Sequence, residues 1–237
     1  RVYIIALLDD ASRFVLGVDV FFNDNFCNFM SVCKSAVSKY GYPQVFNLDN
    51  GSSFKNKQME LLAARIGSSL NYCHPYQPQE KAKIERWFRT MKDHWMAKLD
   101  MRDFKTLDEL RADLLAYVAK YNRTPHSALS GKTPEDRFFS EPERIHRIPR
   151  ETIDRLFLLE VERTVSIDGV FTLGNTEYEV DSRYSKQRVT IRYTPDKDEV
   201  YLVGPDEALV PVRILNKQEN AVTRRKQFRY SEVIANA

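Results

Sequence analysis

The sequence predicts a mixed α/β domain followed by a small all-β unit, on three observations. Short β-branched runs alternate with segments of helical spacing up to about residue 140. A charged stretch carrying Pro142 and Pro149 then breaks the pattern, as a linker would. Beyond it, short strands are punctuated by turn signals at Asp168-Gly169, Gly174-Asn175, Pro195-Asp196 and Gly204-Pro205-Asp206. The expected boundaries are a core over 1–140, a linker over 141–159, a small β-barrel over 160–215 and a polar basic tail over 216–237.

Residues 1–8 and 13–22 read as two strands joined by Asp9-Asp10-Ala11-Ser12 into a hairpin. Asn23 to Tyr40 has helical spacing through Phe26, Phe29, Met30, Cys33, Ala36 and Val37, and Gly41 closes it. Gln44–Leu48 is short and apolar, a buried strand that stops at the turn sequence Asp49-Asn50-Gly51. A helix at about 55–66, a strand at 69–73 and a proline-bearing loop come next. The longest helix is expected over 79–99, with Ile84, Phe88, Met91, Trp95 and Leu99 on one apolar stripe and both Trp87 and Trp95 in the core. Thr106 and Glu109 form a capping box for a helix to about Tyr121, and Thr133-Pro134 opens one more.

Bulk properties narrow the function classes. With 36 basic and 33 acidic residues the net charge is only +3, so nucleic-acid binding has to be argued from where the cations lie. No run approaches the length of a helical membrane span, and residues 1–8 lack the features of a signal peptide. Three cysteines, Cys27, Cys33 and Cys73, are odd in number and fit free thiols in a reducing cytoplasm. The four histidines, at 74, 94, 126 and 146, show no ligand spacing with them, and no zinc site is expected. The chain begins at Arg1 within an apparent strand, which reads as a fragment or processed product.

The informative feature is a pair of carboxylates. Asp49 stands where a strand emerges into a loop, a usual place for functional groups on an α/β sheet. Glu85 lies early on the long helix at the edge of its apolar stripe, with 35 residues between the two. Carboxylates converging from a strand end and a helix suit Mg²⁺, which takes oxygen ligands and leaves room for substrate phosphate. Two ions about 4 Å apart would activate the attacking oxygen and stabilise the leaving one. Two acids are few for two ions, so a third is expected. Lys81, Lys83, Arg86, Arg89, Lys92 and Lys98 surround Glu85, and Arg89 and Lys92 share its helix face. Cations bordering such a site fit a phosphodiester backbone. Asn50 and Gly51 are read as shaping the turn, and Ser52 and Ser53 as turn or capping groups, because no His is placed to activate them.

Four motifs in order carry a family resemblance: Leu7-Leu8-Asp9-Asp10-Ala11-Ser12-Arg13, Asn47-Leu48-Asp49-Asn50-Gly51-Ser52-Ser53-Phe54, Lys83-Ile84-Glu85-Arg86, and Tyr121-Asn122-Arg123-Thr124-Pro125-His126 with Thr133-Pro134. Together they resemble the integrase catalytic core of retroviral-type integrases and bacterial insertion-sequence transposases. The resemblance implies a ribonuclease H-like fold and an Asp-Asp-Glu triad using Mg²⁺ or Mn²⁺. It also implies DNA ends and target DNA as partners, homo-oligomers on DNA and a bacterial cytoplasmic location. Asp49 matches the family's second Asp and Glu85 its Glu. The first Asp belongs on a strand before Tyr3, and neither Asp9 nor Asp10 matches it. Through Asp168-Gly169-Val170-Phe171 and Arg188-Val189-Thr190-Ile191-Arg192-Tyr193 the final unit is similar to the C-terminal β-barrel of phage Mu-type transposases, which implies DNA or protomer contacts by Arg183, Lys186, Arg188 and Arg192. Competing readings are a ribonuclease H-like nuclease or junction resolvase, and a non-catalytic DNA-binding or assembly module.

Overall fold

In the computed structural model, residues 1–51, 54–73 and 81–216 are described. They fall into two compact units that divide between Leu159 and Glu160.

The first unit begins with the expected hairpin. Strands β1 (Tyr3–Leu8) and β2 (Val15–Phe21) pair antiparallel, with a register irregularity at Leu7/Leu8. Asp9 ties the turn: its Oδ2 accepts from the Ser12 backbone N–H at 2.7 Å and from the Ser12 hydroxyl at 2.6 Å. Helix α1 (Phe26–Tyr40) starts at Asn25, whose side chain accepts from the Asn28 N–H, and ends at Gly41. It packs against β2 at Gly17, where an added Cβ would lie 3.0 Å from Val32 Cγ1 and 3.3 Å from Ala36 Cβ. Gly17→Val is therefore expected to force the helix off the strand. The cost of such overpacking is about 1–3 kcal/mol. Urea denaturation checks it, and an unchanged midpoint would show that the contact is slack.

Strand alternation sends β2's other face elsewhere. Val18 and Val20 join Trp87, Met91, Trp95, Leu110, Leu114 and Val118 in a buried cluster, with Ile4, Ala6 and Leu8 packed against it. The helices of that cluster are α3 (Ala82–His94) and α4 (Leu107–Asn122). The apolar stripe expected on α3 is present, and Trp87 and Trp95 are core residues. The helix itself is shorter than the 79–99 span: after Trp95 it tightens into a 3₁₀ turn at Met96–Lys98, and residues 79 and 80 lie outside the described residues. The Trp95 indole N–H donates to Asp113 at 2.6 Å, anchoring that end on α4. The capping box of Thr106 and Glu109 starts α4 as read from the sequence.

Strand β3 (Val45–Leu48) and strand β4 (Ser69–Tyr72) pair in parallel through α2 (Lys57–Ile66). Asn56 caps the start of α2, and Gly67, at φ 80°, supplies the left-handed residue that ends it. Strand β3 is buried on one face only, so the expectation of a wholly buried strand is corrected. Phe46 and Leu48 point inward while Val45 and Asn47 are exposed, the alternation of a strand covered on one side.

Residues 141–159 do not run free as the linker reading expects. After α5 (Pro134–Phe139), helix α6 (Arg150–Leu156) packs on α1 and α2. Lys34 pairs with Asp154 at 2.7 Å, Tyr42 N–H donates to the His146 carbonyl at 2.9 Å, and Arg65 donates to the Leu158 carbonyl at 2.6 Å. Charge and proline content conceal this docking, which combines hydrogen bonds to backbone carbonyls with burial of Ile153, Phe157 and Leu158.

The second unit holds strands β5 (Leu159–Thr164), β6 (Val170–Leu173), β7 (Thr176–Glu179), β8 (Arg188–Tyr193), β9 (Val200–Val203), β10 (Leu209–Pro211) and β11 (Arg213–Ile214). They form a four-stranded sheet ordered β10-β9-β8-β5 and a three-stranded sheet ordered β11-β7-β6. Both contribute to one core of Phe171, Leu173, Tyr178, Val189, Ile191, Val200 and Leu202. The turn signals fall at the hairpins, but the described strands make two sheets around a common core and no closed ladder. Residues 217–237, most of the expected tail, lie outside the described residues.

Arg188 and Arg192 stand differently in this unit. The Arg192 side chain is 13% exposed and bonds Glu160 at 2.8 Å and also Glu207. Arg188 is open to solvent and meets Glu162 at the surface. Arg192→Ala removes the largely buried ion pair with Glu160 and the bond to Glu207, and is expected to destabilise the unit by about 1–3 kcal/mol. Arg188→Ala is expected to stay within about 0.5 kcal/mol. Thermal unfolding of the two variants separates them, and equal effects would contradict this division.

Candidate functional site

Asp49 follows β3 directly, and its turn is held from both sides. Asp49 Oδ1 accepts from the Gly51 N–H at 2.8 Å. The Asn50 amide donates to the Cys73 carbonyl at 2.7 Å, and Cys73 N–H donates to the Leu48 carbonyl at 2.9 Å. Asn50 and Gly51 thus shape the turn, which leaves Asp49 Oδ2 outside the turn's hydrogen bonds, on a side chain 41% exposed. Ser52, Ser53 and the loop 74–80 lie outside the described residues.

The start of α3 reaches back to this turn and to the hairpin. Lys81 Nζ lies 3.5 Å from Asp49 Oδ2. Lys83 pairs with Asp10 and also donates to the Asp10 carbonyl at 3.3 Å. Two lysines one turn before or beside Glu85 therefore tie the helix to the end of β3 and to the β1–β2 turn. Glu85 is exposed on that first turn, its N–H donating to the Lys81 carbonyl at 3.1 Å. Arg86, Arg89 and Lys92 are exposed on the same helix with no ion pair to a described residue. Of the predicted cations, Lys81 and Lys83 are engaged within the chain and these three are free to meet a ligand.

Asp9 Oδ2 accepts from Ser12 in the hairpin turn, and Asp10 pairs with Lys83. Among the described residues no group of three His, Cys, Asp or Glu side chains is close enough to hold a metal ion.

Residues 1–78 match one model of the integrase core domain, and residues 66–134 match a second of the same description. Residues 1–134 belong to the integrase core family. Most of the chain is similar to the transposase for transposon Tn552 of Staphylococcus aureus, 28% identical over 241 residues that cover 88% of this chain and 48% of that protein. The transposase for insertion sequence element IS21 of Pseudomonas aeruginosa is 25% identical over 170 residues, 72% of this chain and 42% of that protein. The Gag-Pol polyprotein of gibbon ape leukemia virus is 27% identical over 168 residues, 61% of this chain and 10% of the polyprotein. A crystal structure of the catalytic core domain of BIV integrase superposes with a TM-score of 0.48 at 21% identity, covering 59% of this chain and 87% of that one. The chain spans at most about half the length of these curated relatives.

The sequence assigns Asn122 no role beyond its place in the fourth motif, yet it joins two elements of the integrase core. Its side chain accepts from the Val15 N–H at 2.9 Å and donates to the Val15 carbonyl at 3.1 Å, both buried. It continues the buried series Leu110, Leu114, Val118 at four-residue spacing, so a polar residue in a core stripe is the available signal.

Proposed function

We propose that this chain supplies part of the metal-dependent centre of a DNA transposase or integrase with a ribonuclease H-like core. The enzyme nicks a transposon end and then joins the freed 3′-hydroxyl to target DNA. The observation that carries the reading is the docking of the first turn of α3, through Lys81, on the end of β3 beside Asp49. It puts Glu85 one turn from a residue that touches Asp49, in a chain that matches the integrase core domain.

The residues present fit a hard divalent cation. Both are carboxylates at the surface, and one free oxygen of Asp49 already attracts an ammonium group at 3.5 Å. Asp49 and Glu85 would hold Mg²⁺ or Mn²⁺, two ions with a third acid completing the set. When bound, the metal neutralises phosphate charge and activates the attacking oxygen. The chain's own cations do the rest: Arg86, Arg89 and Lys92 grip backbone phosphates and orient the strand. DNA is the partner, and pairing of two ends would be served by at least two protomers. Arg183, Lys186 and Arg188 of the second unit would add exposed cations to the DNA path, with Arg192 engaged between its two glutamates.

Incubating the full-length protein with pre-cut transposon-end DNA and Mg²⁺ tests the reading. Joined products are expected. Hydrolysis without joining would point to a plain nuclease, and DNA binding with neither reaction to an assembly module.

A further inference from the structure

The turn that carries Asp49 also fixes a lysine. The Gly51 N–H holds Asp49 Oδ1, and the Gly51 carbonyl accepts from the N–H groups of Phe54 and Lys55, each at 2.9 Å. Gly51 thus ties the Lys55 backbone to a carboxylate oxygen of Asp49. Phe54 is held from two further sides. Its ring meets that of Phe29 on α1 edge-on at 4.9 Å, and its carbonyl accepts from the Tyr72 hydroxyl at 3.4 Å. Tyr72, in β4, is the register partner of Leu48, the residue before Asp49. Lys55 Nζ lies over the Tyr72 ring, 5.7 Å from its centre.

The seat decides what the lysine can bind. Lys34, Lys81 and Lys83 each meet an aspartate, which offsets their charge. Lys55 is exposed and has no ion pair to a described residue. Glu60 of α2, whose charge is felt at the Tyr72 ring, does not pair with it. An aromatic face attracts an ammonium group through its quadrupole without neutralising it. The N–H donors of Lys55 can therefore still meet an anion, and the ring already restricts a side chain whose ordering opposes binding. The position adds direction. Lys81 approaches Asp49 from α3 at Oδ2, whereas Lys55 is tied in through Oδ1. Cations thus reach the Asp49 turn from two separate elements.

We propose that Lys55, seated on Tyr72, binds a backbone phosphate of DNA on the Oδ1 side of Asp49, apart from the cations of α3. That the anion is DNA rests on the function proposed above; the seat itself does not. Joining brings two DNA molecules to one carboxylate pair, so a second group of cations has a strand to hold. A lysine meets phosphate as a point charge, and such a contact positions the strand without reading its bases.

Binding of fluorescent duplexes to the full-length protein in EDTA, followed across salt concentrations, tests the contact without metal or turnover. One duplex carries the transposon end and the other an unrelated sequence. Lys55→Gln is expected to weaken binding of at least one duplex roughly 3–10-fold and to reduce its salt slope by about 0.9. Loss on the end duplex alone would assign the phosphate to the transposon end, and loss on the unrelated duplex to any DNA backbone. Lys55→Arg keeps both the charge and the ring contact and is expected to bind like the parent. Tyr72→Leu keeps the charge but removes its seat, and is expected to weaken binding roughly 2–5-fold with the slope retained. Lys39→Gln, an exposed control on α1, is expected to change neither affinity nor slope. Unchanged binding of both duplexes in Lys55→Gln, or an equal loss in Lys39→Gln, would overturn the contact. Lys55 is exposed, so its variant decides the matter even where Tyr72→Leu fails to fold. Asp49→Asn should bind both duplexes like the parent in EDTA. If it also joined DNA normally, the catalytic reading would fail while the contact stood.

Discussion

Asp49→Asn is expected to lower DNA joining on the order of 10³-fold or more, because a lost metal ligand removes several kcal/mol of transition-state charge stabilisation. The fold should not suffer. Asp49 Oδ1 accepts one backbone N–H, a role the Asn carbonyl oxygen can keep. Its ion pair with Lys81 joins side chains 41% and 36% exposed, and such pairs contribute at most about 1 kcal/mol. Circular dichroism and thermal unfolding should therefore match the parent while joining is lost. Glu85→Gln should behave alike, since Glu85 is exposed and its side chain bonds no other described residue. Retained joining in either variant would remove that residue from the metal set. Loss of joining accompanied by unfolding would make it a structural residue instead.

The largest expected loss of stability comes from Asn122→Ala. The substitution leaves the Val15 N–H and C=O, both buried, without partners. Each unsatisfied buried group costs about 1–3 kcal/mol, so the two together cost roughly 2–6 kcal/mol. The damage should be local to the joint between the start of β2 and the end of α4, where Val118 and Leu114 continue the buried stripe. Urea denaturation measures the cost, and hydrogen exchange at the Val15 amide locates it. A loss below about 0.5 kcal/mol would mean that water or a shifted backbone replaces both bonds. Asn122→Asp is a sharper companion, since it keeps the acceptor for the Val15 N–H but sets a carboxylate against the Val15 carbonyl. It should destabilise at least as much as Ala.

Much of the first unit can be read from spacing. Apolar residues at helical intervals give α1 and α3, and the Thr106–Glu109 and Thr133-Pro134 signals mark the starts of α4 and α5. Asn56 and Gly67 bracket α2 by the same cap chemistry. The features that escape this reading are long-range or carried by the backbone. The docking of 141–159 depends on carbonyls accepting from Tyr42, Arg65 and Arg147, which no side-chain pattern reports. The half-buried state of β3 depends on how many faces are covered, and a four-residue run is too short to show alternation. The second unit shows its turns plainly but not its sheets, because pairing order is not written in alternation.

The site divides along the same line. Asp49 and Glu85 stand out because a strand end and a helix start carry acids in a recognisable order. Their neighbours could not be ranked that way. Spacing puts Arg89 and Lys92 on the face of Glu85 but does not show which cations are engaged: Lys81 and Lys83 are spent on Asp49 and Asp10, while Arg86, Arg89 and Lys92 have no ion pair to a described residue. Arg192 reads as a surface cation on a strand, and only the pairing of β5 with β8 reveals Glu160 opposite it.

The central claim is that Asp49 and Glu85 hold the same metal centre. A crystal structure of the full-length protein bound to its DNA in Mn²⁺, with anomalous diffraction to locate the ions, tests it most directly. The claim predicts an anomalous peak at coordination distance, about 2.0–2.3 Å, from a carboxylate oxygen of each residue, with Lys81 drawn off Asp49. Asp49 still paired with Lys81 and manganese bound elsewhere on the protein would contradict it.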